Sequence, residues 1–454
     1  MKSSPVRTSV LSVSVCFMGL WFVYLTVGAS VASTESKALN NWPQWRGPLA
    51  TGVGPLAHPP VTWSETENVR WKVSIPGRGH ATPAVWENRV YVLSAVPVGT
   101  SDPTTQQSDT PDRRRPGISP DSVLEFTLFA LDRSDGSVVW RRVANRVKPH
   151  EGTHPDGSWS SGSPITDGER IFAQFGSQGL YAYDLDGKLL WSRDLGDMST
   201  RMGFGEGTTP FLYDDYLVVL WDHEGEDFIV ALDKTTGKER WRRERDEHTT
   251  WSTPVVVEVN GRPQVIVNAS NAIRAYDLKT GDSVWQTSGM TANSIPSPVV
   301  ADGVAYFLSG FRGANLLAIR LADAKGELAA DSKAILWTHD RDTPYVPSPL
   351  VYGDALYFVK GNKGILSCLN ATSGDANYGP IRLEGIEGVY ASPIGAADRV
   401  YIAGRNGAVQ VLRHGAEYEL LALNQLEDSF DASPVAVDGE LFLRGQHLYC
   451  LAQD

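Results

Sequence analysis

Between Thr253 and Trp285 the chain places four apolar runs between short polar turns. They are Val255-Val256-Val257, Gln264-Val265-Ile266-Val267, Ile273-Arg274-Ala275-Tyr276 and Ser283-Val284-Trp285, with Asn260-Gly261 and Lys279-Thr280-Gly281 as turns. β-branched and aromatic runs of this length, broken by Asn-Gly and Gly signals, predict four antiparallel strands joined by hairpins. The unit opens on Thr253-Pro254, and the same Ser/Thr-Pro mark occurs at Thr82, Ser163, Thr209, Ser297, Ser348, Ser392 and Ser433. From Ser163 onward the marks are 41 to 51 residues apart. A period in the forties is one four-stranded propeller blade. The pattern therefore predicts an all-β, eight-bladed β-propeller of four-stranded antiparallel blades.

Three units end on Asp-x-x-x-Gly-x-x-x-Trp, at Asp132 to Trp140, Asp233 to Trp241 and Asp277 to Trp285, with a form one residue shorter at Asp184 to Trp191. The Asp suits turn amides, the Gly supplies positive φ, and the Trp fills the groove against the next blade. The eighth unit stops at Leu448-Tyr449-Cys450-Leu451 and lacks a fourth strand, whereas Val69-Arg70-Trp71-Lys72-Val73 precedes the first mark as an orphan strand. It is expected to complete the last blade and close the ring. The long first unit is explained by residues 97–121, rich in Pro, Ser, Asp and Arg, which read as a disordered loop insert. Residues 322–332 lengthen the fifth unit and suggest a short helical turn.

The chain has 454 residues, 14 Trp, 16 Tyr, 14 Phe and a formal charge of −12. Stacked blades let one domain reach this size. The acidic balance excludes a nucleic-acid partner. Lys2 and Arg7 precede a nearly uncharged stretch that ends in Ala29-Ser30-Val31-Ala32, so residues 1–32 read as a signal peptide or an N-terminal membrane anchor. Residues 33–61 are an extension packing on the propeller, with Trp42-Pro43-Gln44-Trp45 expected on its flank, and 62–454 are the propeller. An exported protein is expected, periplasmic or anchored facing the periplasm, and monomeric. Cys368 and Cys450 fall in blades too far apart to bridge and are expected as buried free thiols.

With these starts, ends and period, residues 62–454 resemble the pyrroloquinoline-quinone-type eight-bladed propellers. That superfamily includes calcium- and quinone-dependent alcohol dehydrogenases and the non-enzymatic lipoprotein of the outer-membrane barrel-assembly machinery. The Trp42-Pro43-Gln44-Trp45-Arg46-Gly47-Pro48 opening looks like a subgroup of exported bacterial proteins. The dehydrogenase branch implies adjacent cysteines over the quinone, and this chain has no Cys-Cys pair. The resemblance thus implies a scaffold more than a quinoprotein, although the lipid-attachment cysteine of the assembly branch is also missing.

Strand direction gathers the loops leading into each first strand, and the connections between second and third strands, on one face. That lead-in face collects His80, Trp159, Glu206, His248, Trp251, Tyr390 and Asp431 from the loops, and Asp222, His223, Glu224, Arg312 and Arg405 from the connections, with Arg444 at a related connection. These residues form the candidate ligand or partner face. His80 and His248 are the acid–base candidates, yet each also suits a bond to neighbouring backbone. Asp222 to Asp227 is dense in ligand-type groups, but successive strand residues point opposite ways, so a solvated hairpin is expected. Arg312, Arg405 and Arg444 suit an acidic ligand, or else pair with Glu206, Asp222 or Asp431. No residue is assigned a catalytic, cofactor-binding or metal-binding role. The resulting expectation is an exported protein- or ligand-binding scaffold without quinone redox activity. A pyrroloquinoline-quinone and calcium-dependent oxidoreductase, and a carbohydrate-binding or carbohydrate-active propeller using Trp159, Trp251 and Tyr390, stand as alternatives.

Overall fold

A computed structural model describes Met1, residues 37–99 and residues 122–453. Residues 2–32 of the expected leader and residues 100–121 of the expected insert lie outside the described residues. The described residues form eight sheets, seven of four strands and one of five. Blade 1 shows the plan, with Ala84–Trp86 innermost, then Arg89–Pro97, Leu124–Asp132 and Val138–Val147 outermost. Each sheet packs between two others, so middle strands are apolar on both faces, as from Val90 to Ala95, where all positions are buried. Outer strands meet water, and in Glu239–Glu244 only Trp241 is buried.

The last blade combines both ends of the chain. Val435–Val437, Glu440–Arg444 and His447–Ala452 supply its inner strands, and Val69–Ser74 pairs antiparallel with His447–Ala452, Trp71 opposite Cys450. This closure buries two edges that would otherwise be open. Cys368 and Cys450 are buried free thiols.

Neighbouring blades are keyed by the Asp-x-x-x-Gly-x-x-x-Trp repeat. Indole N–H groups of Trp71, Trp140, Trp191 and Trp241 donate to turn carbonyls of the following blade, at Arg133, Leu185, Lys234 and Leu278, over 2.7–3.0 Å. The ring of each then lies against the turn glycine: a Cβ on Gly281, at φ +74°, would sit 2.6 Å from Trp241. Glycine is thus required twice at this position, for its dihedral and for the indole's approach. Trp285 lacks a receiving turn, because the fifth blade carries the lengthened segment instead. That segment contains a single 3₁₀ turn, Leu321–Asp323, as expected, and then Gly326–Leu328, which adds a fifth, parallel strand outside Ser283–Ser288 and covers Trp285.

The Ser/Thr-Pro marks form a closed belt around the axis. Each mark's backbone N–H donates to the hydroxyl of the next mark, from Thr82 to Ser163, then Thr209, Thr253, Ser297, Ser348, Ser392 and Ser433, and from Ser433 back to Thr82, over 2.7–3.2 Å. The following proline begins the innermost strand, whose outer side has no ladder partner, so its missing N–H costs nothing.

Trp42 to Gly54 cross this ring instead of docking on its flank. Trp42 pairs with Val85 of blade 1, and Thr166 N of blade 2 donates to Pro43 O at 2.8 Å. On the far side Arg46 donates to Pro349 O and Pro393 O at 2.8 and 2.9 Å, and Gly52 and Gly54 bracket Gly395 of blade 7. All these contacts lie past the belt along the innermost strands, so the segment closes the end of the channel opposite the lead-in face. Unpaired innermost-strand groups, unavailable on a flank, draw it there.

Candidate functional site

The plug leaves the channel blind, with a cavity of about 270 Å³ opening on the lead-in face. Trp45 forms part of its lining, and so do seven of the belt residues, all but Ser297. Five of the candidate residues converge here: His80, Glu206, Trp251, Tyr390 and Asp431.

The mouth is organised by Arg405, from the Ala403–Ala408 connection of blade 7. Its Nη2 donates to Asp156 Oδ1 at 3.1 Å, and its Nε lies 2.7 Å from Asp431 Oδ1, close but off the hydrogen-bonding line. The guanidinium stacks 4.2 Å above the Tyr390 ring, whose hydroxyl donates to Asp156 Oδ2 at 3.1 Å. Asp156 belongs to the loop leading into blade 2 and Asp431 to the loop leading into blade 8, so Arg405 ties three blades together across the mouth. Burial works to raise Asp156, but Arg405 and the Tyr390 hydroxyl outweigh it and hold the carboxyl below its ordinary range. Asp156 and His154 escaped the sequence reading. The signal available was the length of their loop, from Val147 to Ser163, with Gly152, Gly157 and Gly162 along it.

Two cavity-lining groups are displaced in opposite directions. Burial pushes the Glu206 carboxyl up to about 7, opposed by bonds from Ser177 N–H (2.7 Å) and the Ser177 hydroxyl (2.5 Å). Burial pulls His80 down to about 4, although Asp431 Oδ2 lies 3.5 Å from its Nε2. Near neutral pH His80 is therefore an uncharged imidazole, and Glu206 is divided between its two forms.

The remaining candidates lie elsewhere. Trp159 lines a small side niche of about 30 Å³ next to Glu206 and donates its indole N–H to Glu151 O. Asp222 is fully buried and holds Arg245 through two bonds, at 2.6 and 3.1 Å. His223 Nδ1 accepts from Ser199 N–H, and Glu224 accepts from Thr249 N–H and faces His248 at 3.2 Å. The base of the acidic hairpin, Asp222, His223 and Asp227, is buried in internal bonds, while its tip, Glu224 to Glu226, is exposed to solvent. Arg312, at φ +52°, lies 5.2 Å over Phe311 and away from the cavity. Arg444 is buried and donates to Ala81 O and Leu93 O, so of the three arginines only Arg405 pairs with an acidic residue of the mouth.

The donor set at the mouth does not suit calcium. Asp156 and Asp431 already serve Arg405, and among the described residues no three His, Cys, Asp or Glu side chains are grouped to hold a metal ion.

Comparison with known proteins agrees with this architecture. Two curated outer membrane protein assembly factors BamB, from Francisella salina and Francisella tularensis, are 28% and 26% identical over an alignment of 176 residues that covers 34% of this chain. The match spans about a third of those relatives, 32% and 37% of their lengths. Among solved structures, BamB from Moraxella catarrhalis superimposes with a TM-score of 0.50 at 14% identity, covering 74% of this chain and 94% of that one. The designed protein Ika8 gives 0.55 at 13%, covering 85% and 99%. Quinohemoprotein alcohol dehydrogenase ADHIIG from Pseudomonas putida HK5 gives 0.52 at 12%, covering 92% and 77%. At these identities the structural likenesses speak for the fold alone. The family model described as outer membrane protein assembly factor BamB matches residues 60–204 and 186–414, and the chain belongs to that family.

Proposed function

We propose that this chain is an exported assembly scaffold that engages a protein partner through its lead-in face and carries out no quinone redox chemistry. The observation that carries the reading is the Arg405 bridge. The two carboxylates at the mouth, which a calcium–quinone centre or a pair of hydrolytic acids would need free, are both engaged by one guanidinium. What the bridge provides instead is a mouth fixed in shape, a surface that binds without first paying to order its loops. The relatives named as outer membrane protein assembly factors give the partner class: components of outer-membrane protein assembly, met in the periplasm.

The carbohydrate reading has less support. Of the three proposed platforms Trp251 and Tyr390 line the cavity, but Arg405 covers a face of the Tyr390 ring, and Trp159 lies in the side niche.

Depletion of the protein in its own bacterium is expected to lower the amount of β-barrel protein in the outer membrane. Arg405→Ala, with an unchanged melting temperature, is expected to restore it poorly. Unaltered barrel levels on depletion would sink the scaffold reading, and a saturable rise in melting temperature that requires calcium and pyrroloquinoline quinone together would favour the oxidoreductase.

A further inference from the structure

The belt leaves eight hydrogens without a destination. Each belt hydroxyl oxygen accepts an N–H from the preceding blade. A Ser or Thr hydroxyl also carries one proton to donate. Among the described residues none of these protons meets a protein acceptor, and seven of the eight residues line the cavity. A ring of hydroxyl donors therefore surrounds the channel at its waist.

A buried positive charge lies just past it, on the side of the sixth and seventh blades. Arg46 is 5% exposed, and its guanidinium donates only to carbonyls, those of Pro349, Pro393 and Thr51. Pro349 and Pro393 immediately follow belt residues Ser348 and Ser392, so the cation sits one residue below the ring. The plug wraps it closely, since a Cβ on Gly52 would collide with Arg46 Nη2. A buried cation that lacks a carboxylate partner pays most of its desolvation cost uncompensated. An anion in the waist would offset that cost; of the two negative charges it passes at the mouth, Asp156 and Asp431, Arg405 offsets one, and the Arg78 cation stands near both.

The cavity's size gives the class of ligand. At about 270 Å³ it has room for much more than one water, whose share of liquid volume is about 30 Å³. Trp251 and Tyr345 give its upper walls aromatic surface.

We infer that the waist of the channel is a carboxylate-binding site, in which belt hydroxyls donate to the anionic group above Arg46 while the organic remainder of the ligand extends past Trp251 and Tyr345 toward the mouth. The carboxylate belongs either to a small organic acid or to the C-terminus of a peptide. This inference goes beyond the scaffold reading and does not depend on it, because its readout is direct binding and not barrel assembly.

The test uses the full chain in a chloride-free buffer of constant ionic strength. Calorimetric titration compares phenylacetate with phenylacetamide, and a Gly-Gly-Tyr peptide with its C-terminal amide. Each acid is expected to bind about tenfold or more tightly than its amide, the equivalent of about 1.4 kcal/mol. Tighter binding of the peptide acid than of phenylacetate identifies a protein C-terminus as the source, and the reverse order identifies a small acid. Thr209→Val with Thr253→Val keeps side-chain volume, removes two donors, and is expected to weaken acid binding about tenfold. Arg46→Gln is expected to do the same where it folds. Independently of any variant, crystals soaked in bromide are expected to show anomalous density at the waist that phenylacetate displaces. Acids binding no better than amides, bromide found only at other positions, or a waist holding only water in the presence of acid would each overturn the inference.

Discussion

Glu206 and His80 line one cavity, and burial moves them toward each other on the pH scale, which makes a signed prediction for Glu206→Gln. The carboxyl rises from an ordinary value of 4.5 to about 7, so between those values the folded chain holds a proton that the unfolded chain has released. Stability then falls as pH rises through that window and levels off above 7. At about 1.4 kcal/mol per pH unit, the full displacement is worth at most about 3 kcal/mol. Gln is neutral throughout and keeps a carbonyl for the Ser177 N–H. The variant should match wild type near pH 4.5 and become more stable than it by up to about 3 kcal/mol by pH 8. His80 works the other way. Lowered from 6.5 to about 4, it leaves the unfolded chain holding the extra proton, so its contribution grows as pH rises from 4 to 6.5. In wild type the two slopes oppose each other, and Glu206→Gln should expose the rising slope of His80. Urea unfolding followed by tryptophan fluorescence and by circular dichroism, at half-unit steps from pH 4.5 to 8, measures the difference. A gap between variant and wild type that stays constant or narrows as pH rises would refute the reasoning.

Four further outcomes follow from the packing. Asp222→Ala leaves Arg245 buried without its two-bond partner, and a loss of about 3–5 kcal/mol in urea unfolding is expected; near-native stability would contradict the network's role. Gly281→Ala and Gly303→Ala share φ +74°, but only the first Cβ meets an indole, so Gly281→Ala should melt well below Gly303→Ala, and equal melting temperatures would remove Trp241 from the account. Deleting residues 69–74 strips the outer strand from the last blade and should abolish cooperative unfolding; a soluble, cooperative truncation would show that the closure is dispensable. Burial pushes the Cys368 thiol up to about 11 and Cys450 higher still, so neither should react with a thiol reagent at pH 8 until denaturant is added, when both should react without reductant.

The fold was legible because each blade repeats the same local solution. Turn chemistry at Asp277 and Gly281, and the mark at Thr253-Pro254, follow from a few residues in sequence order, and the missing fourth strand after Leu451 pointed back to Val69–Ser74. What could not be read was which partners the same residues find across the ring. The Ser/Thr of each mark was visible as a strand start, but its hydroxyl serves a blade 41 to 81 residues away, or 351 where the ring closes. The regular choice of Ser or Thr, never Ala or Gly, was the clue to the belt. Trp42 to Arg46 looked like flank packing because nothing local distinguishes an indole that covers an outer strand from one that stops a channel. The acceptors for Arg46 lie more than three hundred residues away, at Pro349 and Pro393.

The site was harder to read for a related reason: the fate of a charge depends on its neighbours, which sequence order does not reveal. Asp222 and Asp431 look alike as acidic residues near a propeller face, yet one is sealed against Arg245 and the other stands at the cavity mouth. Arg405 and Arg444 occupy related connections, but Arg444 turns inward to the carbonyls of Ala81 and Leu93 while Arg405 reaches Asp156, 249 residues away in sequence. Propeller geometry explains the difference. Every blade delivers one lead-in loop to a shared mouth, so a residue's nearest partners come from other blades, and a single long loop such as that between Val147 and Ser163 can reassign several of them at once. The stabilising network and the binding surface therefore draw on the same residue types at the same blade positions.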